Sequence, residues 1–148
     1  MQFEWKQPLG HEECPYIHRW VFDVGLFSVR IHHWHFADDK RHYHDHPWWF
    51  LTFVVKGGYT DLSPAVNSKR DHEVIADHLK AGSIRFRKAN HRHSVDVDDG
   101  GCWTVMLTGP VSQRWGFWIH NRKFYGHNKY FQKFGHPPCD LKSNDLEK

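Results

Sequence analysis

Cysteine is scarce: Cys14, Cys102 and Cys139 stand far apart, are odd in number and include no CxxC pair. That spacing offers neither a disulfide framework nor a thiolate zinc site, and it suits a reducing cytoplasm. Long apolar runs are missing too, and Met1-Gln2-Phe3-Glu4-Trp5 lacks the basic and then apolar blocks of a signal peptide, so no membrane partner is expected. Neither sign of charge dominates. The formal net charge is +3, too little for a dedicated nucleic-acid or membrane-surface protein. Helix signals are poor throughout, and no repeat, low-complexity block or linker divides the 148 residues. One domain, 1–148, is expected, large enough to bury a core without cross-links.

Histidine and aromatic side chains are plentiful, with 15 His and eight Trp. Aromatics favour strands and supply large buried areas. Residues 27–32 alternate apolar and polar with period two, as a half-buried strand does. Another strand leads from His44 through residues 50–55 to a turn signal at Lys56-Gly57-Gly58. Further strands are expected over 73–79, 83–87 and 93–97, then, past Asp98-Asp99-Gly100-Gly101, over 102–108 and 114–119. The region before Trp20, with Pro8, Gly10 and Pro15, reads as an arm or loop, residues 61–70 as a loop, and the polar chain beyond Pro137 as a fraying tail. Short strands separated by glycine turns at this spacing indicate an all-β sandwich or barrel.

The densest chemistry lies in His44-Asp45-His46-Pro47-Trp48. Residues two apart on a strand share a face, so His44 and His46 present two imidazoles side by side while Asp45 points the other way, to a turn or an ion pair. Two imidazoles form half of a site for zinc, iron, copper or nickel. A third ligand must come from another strand, where His91 and His93 are both available. His33 and His35 make a rival pair with no later residue spaced to complete it. Most other histidines, among them His11, His18, His120, His127 and His136, read as surface or capping residues.

This arrangement resembles the cupin superfamily. The first cupin motif is HxH, a Glu four or five residues on, then Gly; His44, His46 and Gly57 or Gly58 match it. The second is Gly, five residues, Pro-x-Gly, two residues, His; Gly82 and His93 match, with Lys88-Ala89-Asn90 in place of Pro-x-Gly. His44 to Trp48, Gly57-Gly58-Tyr59 and Trp115-Gly116-Phe117 are similar to a subgroup of small, often phage-encoded cupin-like proteins. The resemblance implies a single cupin barrel (double-stranded β-helix or jelly roll) with its core over about residues 20–120 and an extension over about 121–148. It also implies the metal ligands His44, His46 and His93. Phe50 or Leu51 stands where the usual glutamate would, so the implied site is three neutral histidines, similar to that of thiol dioxygenases. One divalent ion is expected, Fe2+ first, with Zn2+, Ni2+ or Mn2+ as alternatives. The resemblance further suggests a homodimer.

Other candidates have two readings each. Arg85 and Arg87 alternate with Ile84 and Phe86 and either anchor an anionic substrate or lie on a solvated face. Tyr59 either offers a hydroxyl to a metal-bound ligand or packs over the barrel end. Arg41 and Arg114 reach the barrel mouth or form surface ion pairs. Trp48, Trp49, Trp103, Trp115 and Trp118 read as core, unless two of them face a cavity and stack on a flat ligand. The basic and aromatic run from Arg122 to Lys133 reads as a packed extension rather than a nucleic-acid surface. The functional expectation is a three-histidine metalloenzyme of iron(II) oxygenase type, acting on a small polar or anionic molecule. Isomerase or lyase chemistry suits the same ligands. The alternative is a non-catalytic barrel that binds or sequesters a sugar or nucleotide.

Overall fold

A computed structural model describes residues 1–11, 13–38, 41–65 and 73–136; the tail expected beyond Pro137 and part of the expected 61–70 loop lie outside them. The described residues form ten strands and one short helix in chain order: β1 (Gln2–His11), β2 (Cys14–Asp23), β3 (Ser28–Trp34), β4 (Tyr43–His44), β5 (Phe50–Pro64), β6 (Val74–Lys80), β7 (Ile84–Arg87), β8 (Ser94–Thr108), β9 (Gly116–Ile119), β10 (Lys123–Gly126) and α1 (His127–Phe134). Seven strands make one antiparallel sheet in the order β1-β2-β3-β8-β5-β6, with β7 also paired to β5, and β10-β9-β4 form a second sheet. The architecture is the expected all-β jelly roll.

Two expected turns are instead bends within strands. β5 runs 15 residues through Lys56-Gly57-Gly58, and β8 runs 15 residues through Asp98-Asp99-Gly100-Gly101. The two strands pair from Phe50↔Thr108 to Leu62↔Ser94, with register shifts on either side of Gly57. Gly57 and Gly101 both have positive φ, and a Cβ on Gly57 would run into the Gly101 carbonyl. Glycine here permits a bulge and close backbone approach, so the ladder continues through a bend. The bend matters to the site because it swings Asp61, expected in a loop, into the ladder opposite Val95.

The region before Trp20 is a hairpin, β1 on β2, and not an arm. Pro8 is accommodated because β1 is an edge strand, and Pro15 pairs with Gly10 beside a register shift. The C-terminal extension is also ordered. β10 pairs with β9, and α1 presents His127, Tyr130, Phe131 and Phe134 at helical spacing. Tyr130 is fully buried and stacks on Phe117, ring centroids 3.8 Å apart. Val54, Tyr59, Leu79, Val95 and Cys102 form a buried cluster, with Trp34 and Val97 packed against it. Cys102 is a free thiol, but Cys14 is disulfide-bonded. Among the described residues no helix is long and apolar enough to cross a membrane.

Candidate metal centre

His44 and His93 sit opposite each other in an antiparallel bridge, each backbone N–H donating to the other's carbonyl at 2.9 Å. His46 is fixed by a backbone bond to Ala89 O at 3.1 Å. Asp45, between the two histidines, points away from them and is buried. It accepts from Gly116 N at 2.9 Å and from Trp118 Nε1 at 3.0 Å. Gln113 completes the clamp, donating from Nε2 to the carbonyls of His46 (2.8 Å) and Ala89 (3.0 Å). The alternation of His-Asp-His is thus held from behind by β9 and its preceding loop.

The three imidazoles converge. Their candidate ligand nitrogens lie within 4.8 Å of one another, and His46 Nε2 faces His93 Nε2 at 2.9 Å. On the far side of its ring, His93 Nδ1 lies 2.8 Å from Asp61 Oδ2. A carboxylate there holds the proton on Nδ1 and leaves Nε2 as a bare lone pair. Two ring nitrogens at 2.9 Å need either a proton between them or a cation bound to both, so this donor set fits a divalent ion that favours imidazole. His44 Nδ1 has its own carboxylate neighbour, Asp38 Oδ2, at 3.5 Å.

Electrostatics keep the imidazoles neutral. Burial pushes His44 and His46 well below the ordinary histidine range, and the neighbouring imidazoles add to it. Burial lowers His93 as well, opposed by its bond to Asp61. For Asp61, burial alone would favour the protonated form, yet hydrogen bonds from His91 and His93 hold it well below the carboxylate range. His91 spends its Nε2 on Asp61, at 3.0 Å from Oδ1. The structure therefore brings His93, not His91, to the His44–His46 pair.

The histidines open into a cavity of about 470 Å³. Phe50, which occupies one of the positions expected for the cupin glutamate, lines it, while Leu51 faces outward. Tyr59 also lines it; its side chain is buried, and burial raises the phenol. Arg85 and Arg87 do not line it. Arg85 pairs with Asp77 through two bonds, at 2.8 and 3.0 Å. Arg87 bridges Asp77 (2.8 Å) and Asp61 (3.4 Å), so it braces the carboxylate behind His93. The cavity's own arginines are Arg19 and Arg30, from the neighbouring strands β2 and β3. Trp48 and Trp115 face the cavity as well, whereas Trp103 stacks on Trp20 and His33 outside it. His35 Nε2 meets His18 Nδ1 at 2.7 Å.

Sequence reasoning passed over Asp61, Asp38, Gln113, Arg19 and Arg30. For Arg30 a signal was present: Ser28, Arg30 and His32 form the polar side of an alternating strand, and that side faces inward. For Asp61 there was none, because its approach depends on the bulge at Gly57.

No protein-family model and no curated protein matches the sequence. Solved structures do match in shape. Oxalate decarboxylase of Lactobacillus farciminis, in a formate complex, superposes with TM-score 0.53 at 13% identity over 76% of this chain and 31% of that one. An oxalate decarboxylase variant of Bacillus subtilis gives 0.55 at 11% identity over 79% of this chain and 30% of that one. Iron(II) HppE gives 0.55 at 10% identity over 69% and 54%. The fold is that of a cupin. The chain spans about a third of the oxalate decarboxylases and about half of HppE, and at these identities the cupin likeness describes architecture alone.

Proposed function

We propose that this cupin is a non-haem metalloenzyme in which His44, His46 and His93 hold one divalent cation, Fe2+ in preference to Zn2+, Ni2+ or Mn2+, for oxygenase-type chemistry on a small anionic molecule. The observation that carries this reading is the 2.9 Å approach of two imidazole Nε2 atoms, one of them backed by a buried carboxylate. The occupants named for the structural neighbours, iron(II) in one and formate in another, are of the kind this reading assigns. A bound dication supplies Lewis acidity and open positions, and a ligand set without a carboxylate leaves its charge undiminished. The chain does the rest. Asp61 orients His93, Asp45 and Gln113 hold the segment that carries His44 and His46, and the aromatic wall excludes water. Tyr59 places a neutral hydroxyl at the cavity wall, able to donate a hydrogen bond to a ligand there.

The test is metal content by mass spectrometry after anaerobic iron loading, with wild type beside His44→Ala and His93→Ala, followed by oxygen uptake with thiols and small acids. About one iron per chain in wild type alone, with substrate-dependent oxygen uptake, is the expected result. A barrel that takes no metal would be a binding module for a sugar or nucleotide instead.

The outer face of the large sheet favours a second copy of this chain as partner. Phe3↔Phe22↔Val29↔Leu107↔Leu51↔Phe86 form one register row across six strands, and Trp20↔Ile31↔Val105↔Phe53↔Ile84 form the next. Neither row contains a charged residue, and Phe3, Phe22, Val29, Ile31, Leu51, Phe53, Ile84 and Phe86 are all exposed. With Trp5 beside them, side chains of this size leave on the order of 1,000 Å² in water. That exceeds the usual largest patch of a monomer and matches the roughly 800 Å² each partner buries in a stable pair. An uncharged apolar face is best matched by its own two-fold copy.

A further inference from the structure

Arg30 lies on the inner face of β3, paired with Met106 of β8 and Val21 of β2. Its Nε donates to Ser28 Oγ at 3.0 Å, and Ser28 is tied in turn to Thr108 Oγ1 at 2.5 Å. Its guanidinium carbon lies 4.6 Å from the centre of the Trp48 ring. These contacts fix the plane and rotation of the guanidinium while using one of its five N–H groups. Among the described residues, Nη1 and Nη2 make no hydrogen bond, and no carboxylate stands in ion-pair range. Arg19 stands in the same wall, with Nε on Gln7 Oε1 at 2.6 Å and Nη2 3.7 Å from Glu4. Next along β3, buried His32 also lines the cavity, and its Nδ1 has no hydrogen-bond partner among the described residues.

A half-buried, oriented guanidinium with its outer edge unspent is a site for a planar anion. Trp48 connects it to the metal centre: the same indole that lies under Arg30 stacks on His46, ring centroids 5.1 Å apart. Away from these polar groups the wall is largely apolar, with Ile17, Trp34, Met106 and Phe117 among its members. We propose that Arg30 is the specificity-determining residue of the cavity, and that its ligand is a small organic carboxylate with an apolar body. The carboxylate sits on the Nη1/Nη2 edge, and the body lies along Trp48 toward His46. The assignment of the other end to the metal centre rests on the function proposed above; the carboxylate subsite does not. Arg85 and Arg87 lack this capacity because Asp77 and Asp61 already occupy their guanidinium groups.

Calorimetric titration of the full chain with benzoate, benzamide and inorganic phosphate tests the assignment, with and without zinc. Wild type is expected to bind benzoate saturably in both states, and more tightly than benzamide or phosphate. Arg30→Gln should weaken benzoate roughly tenfold to hundredfold and leave benzamide unchanged. Arg30→Lys keeps the charge but loses the planar fork, and should fall between; it serves if Arg30→Gln does not melt cooperatively. Arg85→Gln should match wild type. No saturable benzoate binding, equal affinity for benzoate and benzamide, a preference for phosphate, or wild-type affinity in both Arg30 variants would each overturn the proposal. Benzoate discrimination in a protein that binds no zinc would support the carboxylate subsite while removing the metal reading.

Discussion

The two faces of the seven-stranded sheet both carry apolar side chains, and the charged and hydroxyl groups between them lie on the inner one. Its outer face carries Phe22, Val29, Ile31, Leu51 and Phe53 in contact with solvent, while its inner face carries Arg19, Ser28, Arg30, His32, Thr52 and Thr104. In an isolated domain an alternating strand buries its apolar side and solvates its polar side. Here the interior combines an apolar core with a cavity wall that carries polar groups, and the exterior keeps a second apolar surface. The contrast teaches that a strand's period reports that its two faces differ, and leaves open which of them is inside.

The largest effect should come from charging the outer face. Phe53→Glu puts a carboxylate in the middle of the second apolar row, where a two-fold partner would meet it with another. Sedimentation should show a dimeric wild type and a monomeric variant, with metal content unchanged in both. A monomeric wild type would leave the apolar rows without their proposed function. On the inner face, Asp61→Asn removes the carboxylate that holds the His93 proton on Nδ1. Metal affinity should drop about tenfold to hundredfold, as for other ligand-orienting carboxylates. An unchanged affinity would separate Asp61 from the site.

A smaller, pH-dependent effect belongs to His32. Burial lowers its pKa from the ordinary 6.5 to about 3, so between these values the unfolded chain holds a proton that the folded chain does not. Stability then falls as pH falls through that window and is fully present above it. The melting temperature of metal-free protein should decline from pH 6.5 towards 3, and His32→Leu should flatten part of that decline. Equal slopes in the two proteins would mean that the His32 ring is hydrated and titrates normally.

These expectations also mark how far the sequence could be read. The strand over 27–32 and the pair His44/His46 were legible because period-two spacing is local. His93 was legible as one of two candidates, and the bridge to His44 brings its ring, rather than that of His91, to the pair. The turns expected at Gly57-Gly58 and Gly100-Gly101 were illegible as bends, since the role of Gly57 depends on the Gly101 carbonyl of β8 lying against it. Asp61 follows from that same contact. The helix over His127–Phe134 was written in the 127, 130, 131, 134 spacing but obscured by its lysines. Arg30 was hidden by the convention that polar alternation faces water.

The most direct test of the account is an anaerobic Co2+ titration followed by visible absorption, on wild type and His46→Ala. A three-histidine centre predicts ligand-field bands that saturate at about one equivalent in wild type and are absent in the variant. A wild-type chain that develops no saturable bands, or a variant that develops the same ones, would contradict the three-histidine centre.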